Sequence, residues 1–177
     1  MNNKKLILAV LMVVLAFALI ACQQKKFNDN YKGYETGDGQ VMGPVMTESY
    51  TADGKRYTPM TVQDAVNYRE RGQAAWYGDE IYLTGGGNYS TANGEIFDEN
   101  LMTAGHKYLP LPTYVKVTNT NNNRYVIVRV NDRGPFHPDR LIVLSKAAAE
   151  QLGFERNGTA PVIVETVQVG GNSYAGR

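Results

Sequence analysis

Three short segments carry polar and charged side chains where turn formation alone does not require them. They are Thr91-Ala92-Asn93-Gly94-Glu95-Ile96-Phe97-Asp98, the run Met102-Thr103-Ala104-Gly105-His106-Lys107-Tyr108-Leu109-Pro110-Leu111-Pro112, and Arg129-Val130-Asn131-Asp132-Arg133-Gly134-Pro135-Phe136. Between them they offer two carboxylates, Glu95 and Asp132, and one imidazole, His106. That is a minimal set for moving a proton at a sugar linkage. A glycosidic oxygen leaves poorly unless a carboxylic acid protonates it, and such an acid needs a pKa near ~6–7. Each residue also has a plainer reading. Asp132-Arg133-Gly134-Pro135 is a good turn sequence. His106 suits a satisfied strand end, and Glu95 beside Asn93-Gly94 suits a solvated hairpin.

Other candidates surround this trio. Trp76 and Tyr77 could stack on sugar faces, although aromatic side chains more often fill cores. Gly85-Gly86-Gly87 is a flexible loop without the strand-to-helix setting of a phosphate cradle. His106 and His137 are the only histidines, lie far apart and have no Cys partners, which argues against a structural zinc site. No metal and no cofactor are expected.

The elements that would position these residues are mostly strands. Tyr114 to Thr118 alternates apolar and polar residues, Asn119 to Asn123 is a polar turn, and Arg124 to Val130 returns as the clearest strand, a hairpin by period and composition. Gln73 to Gly78 reads as a strand closed by glycine, Leu141 to Leu144 as a brief strand, and Pro161 to Val169 as the last one. Ser145 caps a helix over Lys146 to Leu152 that Gly153 ends. A second short helix or turn over Thr61 to Arg71 has Thr61 as its cap and Asp64 in its first turn. Short strands with so little helix, in one domain of this size, favour a small closed barrel over a sandwich.

The ends set the compartment. Lys4 and Lys5 precede an unbroken apolar run from Leu6 to Ala21, short for a membrane span of ~20 residues and suited to a secretory signal. Leu19-Ile20-Ala21-Cys22 closes it, and Cys22 is the only cysteine. A small residue before a lone Cys at this place resembles a bacterial lipobox, so lipidation of Cys22 and attachment to a membrane are expected. Gln23 follows where Asp commonly signals inner-membrane retention, which points to the periplasmic face of an outer membrane. The expected organisation is a signal peptide over 1–21, a lipidated tether over 22–54, a lead-in over 55–71, a barrel domain over 72–169 and a flexible tail over 170–177.

The whole chain carries 18 Lys and Arg against 17 Asp and Glu, and removing Lys4 and Lys5 leaves 16 against 17. A mature net charge of −1 gives no basic cluster for phosphates and argues against a nucleic-acid partner. It suits an uncharged polymer, and a monomer is expected.

Taken in order, Ala75-Trp76-Tyr77-Gly78, Thr91-Ala92-Asn93-Gly94-Glu95, His106 with Leu109-Pro110-Leu111-Pro112, Val130-Asn131-Asp132-Arg133-Gly134-Pro135-Phe136, and Leu144-Ser145-Lys146-Ala147-Ala148-Ala149 resemble the rare lipoprotein A family. The resemblance covers roughly Gly72 to Val169. It implies a mainly β fold, a small six-stranded double-psi β-barrel with one or two short helices, shared with expansins. It implies cleavage of the MurNAc–GlcNAc bond of peptidoglycan glycan strands without water, leaving 1,6-anhydro-MurNAc ends. Carried over by position, the catalytic residues are Asp132, Glu95 and His106. Asp132 is the expected acid, although exchanging its role with Glu95 is nearly as plausible. Tyr77, Trp76, Asn93, Asn131 and Arg133 are the expected sugar contacts. The alternative is a non-catalytic peptidoglycan-binding or wall-loosening lipoprotein that uses the same groove.

Three features depart from the family pattern. Val143 stands where an acidic residue is common. Gly105 stands where Ala is usual, and is expected to loosen the backbone before His106. The stretch Asp79 to Ser90 is longer than usual. A C-terminal SPOR domain, frequent in relatives, is not expected.

Overall fold

The computed structural model describes residues 45–78 and 89–167, all within one compact unit that spans Met42–Arg177. The elements are β1 (Tyr50–Ala52), β2 (Lys55–Tyr57), α1 (Val62–Ala65), β3 (Arg69–Trp76), β4 (Thr103–His106), β5 (Thr113–Asn119), β6 (Tyr125–Asp132), β7 (Ile142–Leu144), α2 (Lys146–Leu152), a 3-10 turn (Glu155–Asn157) and β8 (Thr159–Thr166).

The alternation in β5 and β6 does what it predicts. Val115 and Val117 face Val128 and Val126 across the antiparallel pair, and all four are buried. Val162 and Val164 of β8 join them from the other side of β5. Each such side chain taken out of water contributes about 1.5–3 kcal/mol. Six strands then close on themselves in the order β3-β7-β4-β6-β5-β8, which leaves the barrel no free edge. Two of the six pairings are parallel, β3 with β7 and β4 with β6. These two crossovers give the double-psi barrel that the family resemblance implies.

The helix α2 closes one side. Ser145 Oγ accepts from the Ala148 N–H at 3.3 Å, and Gly153, at φ 75°, turns the chain out and returns its own N–H to Ala149 and Glu150. A left-handed residue at that position is glycine's usual place. Ala148, Ala149 and Leu152 are the face it buries.

Three elements differ from expectation. The helix over Thr61 to Arg71 is a single turn, Val62–Ala65, with Thr61 capping Asp64 as expected. From Arg69 the chain is already strand, because seven consecutive residues of β3 pair with β8, and that pairing outweighs local helix preference. β4 was not read as a strand. All four of its residues are buried between β6 and β7, and a strand covered on both faces shows no alternation.

The third difference lies in the stretch expected to be tether. Residues 50–57 form the β1–β2 hairpin, turning through Asp53 and Gly54, both at positive φ. It straps onto the barrel. Met46 and Leu111 exchange backbone hydrogen bonds, and the Tyr50 hydroxyl donates to the Lys107 carbonyl at 3.0 Å. Tyr57 packs between Tyr50 and Phe136, with ring centroids 5.3 and 5.4 Å away. The expected signal peptide, Cys22, the rest of the expected tether up to residue 44, residues 79–88, the end of the strand expected to reach Val169 and the expected tail over 170–177 lie outside the described residues.

Candidate active site

Asp132 is the last residue of β6 and only 3% exposed. A register shift between Ala104 and Gly105 places it opposite Gly105 of β4. Its carboxylate has four donors. Oδ1 accepts from the backbone N–H groups of Ala92 and Arg133, both at 2.8 Å. Oδ2 accepts from the hydroxyls of Tyr77, at 2.9 Å, and Tyr89, at 3.0 Å.

Tyr89, Thr91 and Ala92 belong to a tight reversal of the chain. Ser90 bridges Ile96, the Phe97 N–H reaches the Tyr89 carbonyl, and the Thr91 and Glu95 backbones join at 2.8 Å. The far arm of this reversal carries Glu95, and β6 grips it. Arg129 pairs with both Glu95 oxygens, and Asn131, two residues along the same strand, donates to Oε2 at 2.8 Å. Asn93 adds a bond to Oε1 at 2.6 Å. Loop and strand therefore exchange carboxylates: β6 holds the loop's Glu95, and the loop holds the strand's Asp132.

This arrangement brings Glu95, Asp132, Tyr77, Asn93 and Asn131 together. His106 stands apart. Its ring is 1% exposed, and both nitrogens are occupied. Nδ1 accepts from the Tyr108 and Leu109 N–H groups at 3.1 and 3.0 Å, so in the neutral ring the proton sits on Nε2, facing Tyr68 Oη at 3.0 Å. The Tyr68 hydroxyl in turn donates to Glu70 at 2.8 Å. Burial, with the Lys107 and Arg133 charges adding to it, pushes the imidazole down to about 3. Neither nitrogen is bonded to either carboxylate.

Two expected sugar contacts are turned elsewhere. The Arg133 guanidinium donates to the carbonyls of Leu109 and Met46 and lies 5.1 Å over the Tyr50 ring, which ties the strap to the residue after Asp132. Trp76 Nε1 donates to the Glu155 carbonyl at 3.1 Å. Tyr77 packs edge-on against Phe97, and burial together with Asp132 pushes its hydroxyl well up.

Two departures from the family pattern meet at one point. Gly105 pairs with Val143. A Cβ on Gly105 would lie 2.5 Å from the Tyr77 hydroxyl and 3.0 Å from a Val143 methyl. Far from loosening the strand, Gly105 gives Tyr77 the space to reach Asp132. The lengthened stretch from Asp79 lies outside the described residues up to 88, but Tyr89 at its end reaches the carboxylate.

Sequence reading missed Arg129, Tyr89 and Tyr68. Arg129 had a signal: an outward-facing cation two residues from Asn131 on a β strand. Tyr89 and Tyr68 had none, since only the folded chain brings them to their partners. Among the described residues no group of three or more His, Cys, Asp or Glu could hold a metal ion.

A family model described as "Lytic transglycolase" matches residues 69–164, over half of the chain. The chain belongs to this family. Among relatives of the lytic transglycolase family, a protein named endolytic peptidoglycan transglycosylase RlpA from Pseudomonas aeruginosa (strain UCBPP-PA14) is 53% identical over 125 residues, covering 71% of this chain and 35% of its own length. One of the same name from Rickettsia bellii (strain RML369-C) is 39% identical over 187 residues, covering 93% of this chain and 74% of its own. The chain thus spans about a third of the Pseudomonas relative's length. Among solved structures, an apo expansin from Clavibacter michiganensis is 18% identical, covering 59% of this chain and 53% of its own, with a TM-score of 0.44.

Proposed function

We propose that this lytic transglycolase-family barrel cleaves the MurNAc–GlcNAc linkage of peptidoglycan, leaving 1,6-anhydro-MurNAc ends. The observation that carries the reading is the unequal surroundings of the two carboxylates. Every partner of Glu95 is an N–H group that can only donate, so this carboxyl serves best as a fixed negative charge. On Asp132 only Oδ1 is so restricted. Oδ2 faces two hydroxyls, and a hydroxyl accepts as readily as it donates. A proton carried at this site therefore belongs on Asp132 Oδ2.

In the proposed reaction, Asp132 delivers that proton to the glycosidic oxygen as the bond to MurNAc C1 breaks. Glu95 steadies the oxocarbenium-like transition state. The C6 hydroxyl of the same MurNAc then attacks C1 and returns its proton to Asp132, so no water is consumed. His106 acts as a positioning residue that holds β4 and the Tyr108–Leu109 backbone.

The test is mass spectrometry of fragments released from intact and amidase-stripped sacculi, with Asp132→Asn alongside. Anhydro-MurNAc ends with wild type and none with the variant are expected. Sacculus binding without release would instead favour the non-catalytic glycan-binding alternative.

We also propose lipid attachment through Cys22 and residence of a monomer at the periplasmic face of an outer membrane. The support is the apolar run ending at a lone Cys followed by Gln23. Cys22→Ser is expected to move the protein from the membrane fraction to the soluble one.

A further inference from the structure

We infer that the Tyr89 hydroxyl occupies the place on Asp132 Oδ2 that the scissile glycosidic oxygen takes, so that Tyr89 yields to substrate and sets how tightly glycan binds. This rests on Asp132 being the proton carrier.

A carboxylate offers about four lone-pair directions, and those of Asp132 are all filled. An incoming oxygen can reach this group only if one of the four partners leaves. Three are fixed. The Ala92 and Arg133 donors are backbone, and the Arg133 side chain is bolted to the Leu109 and Met46 carbonyls. The Tyr77 hydroxyl is sunk in the gap over Gly105, with Val143 beside it and Phe97 edge-on at 4.9 Å.

Tyr89 is the fourth, and it is held differently. It is 38% exposed, and its ring meets Phe97 at the longer distance of 6.2 Å. The backbone of the reversal stays in place without its side chain, through the Phe97 N–H bond to the Tyr89 carbonyl and the Thr91–Glu95 bond. A rotation about the Tyr89 side-chain bonds therefore frees Oδ2 on its solvent side while Tyr77 keeps its hold. The phenol oxygen stands 3.0 Å from Oδ2, the separation a sugar oxygen needs to receive the proton. Resting enzyme with Tyr89 in place is closed to substrate, and apparent affinity is reduced by the fraction so occupied.

Tyr89→Phe removes the competing hydroxyl and keeps the ring. Kinetics on amidase-stripped glycan strands are expected to show KM falling by about tenfold, with a kcat loss smaller than that of Tyr77→Phe. Tyr77→Phe, which removes a fixed donor, is expected to lower kcat at little changed KM. Tyr89→Ala, as a second route to the same loss of hydroxyl, is expected to lower KM in the same direction. An unchanged or raised KM in Tyr89→Phe, or a kcat loss matching that of Tyr77→Phe, would overturn the inference.

Equilibrium binding of the same strands separates this from the catalytic reading. If wild type yields no anhydro ends, the lytic proposal falls. Tighter binding by Tyr89→Phe would then still support occupancy of the Asp132 position, and equal or weaker binding would refute it.

Discussion

Glu95 and Asp132 sit on facing segments and are each met by four hydrogen-bond donors, yet the donors differ in kind. Glu95 is gripped by a guanidinium and two amides, about 29% exposed and locked in geometry. Asp132 is nearly inaccessible, yet one of its oxygens touches only hydroxyls. The difference teaches that the number of donors around a carboxylate says little about its role. Whether the donors can reverse decides it. In the proposed reaction the fixed charge is the carboxylate surrounded by nitrogen, and the proton passes through the one that faces hydroxyl oxygen.

The most direct way to break this comparison is to neutralise each carboxyl in turn. Asp132→Asn keeps an oxygen for the Ala92 and Arg133 N–H groups and should fold, with kcat reduced by roughly 10²–10⁴. Glu95→Gln is expected to cost less, about tenfold, because it removes a supporting charge and leaves the proposed proton carrier intact. Anhydro-MurNAc release measured for both decides the matter, and the reverse order would exchange their roles.

His106 supplies a contrast of another kind, a titratable group whose proton is kept away. Its folded pKa of about 3 lies below the ordinary 6.5, so between those values the unfolded chain binds the proton and the native one does not. Its contribution is complete above pH 6.5 and is lost as the pH falls toward 3, at a slope of up to about 1.4 kcal/mol per pH unit. Urea midpoints at pH 7 and pH 4.5 should separate for wild type, and the separation should shrink in His106→Gln.

Smaller effects sharpen the picture of the clasp. Arg129→Met strips Glu95 of its paired charge and should lower stability by about 1.5–3 kcal/mol, with coupling to Glu95→Gln visible in a double-mutant cycle. Tyr50→Ala removes the ring under Arg133 and should cost about 0.5–2 kcal/mol in thermal unfolding, with a modest fall in activity as the segment after Asp132 loosens.

Much of this was legible in the sequence where one face of an element is wet. β5, β6 and α2 announce themselves by alternation and by Ser145 and Gly153, while Glu95 and Asp132 were singled out through the family resemblance. β4 was hidden because burial on both sides erases alternation, and Thr103-Ala104-Gly105-His106 therefore reads as loop. The β1–β2 hairpin lay unread in a polar stretch, although Asp53-Gly54 between short runs is a hairpin signal in its own right. The setting of His106 could not be read at all, since its partners Tyr68, Tyr108 and Leu109 meet it only through the closed barrel. The same is true of Tyr89.

The strand order has a consequence for how the chain assembles. The two neighbours of β3 are β7 and β8, so the first barrel strand has an open edge on each side until the chain from Ile142 to Thr166 is present. No fragment ending before β7 can satisfy it, and an emerging chain holds an unpaired strand from Trp76 until Ile142 follows. Pairing over such sequence separations is slow to find. The ring is closed by β8, the last strand in the chain, which pairs with both β3 and β5.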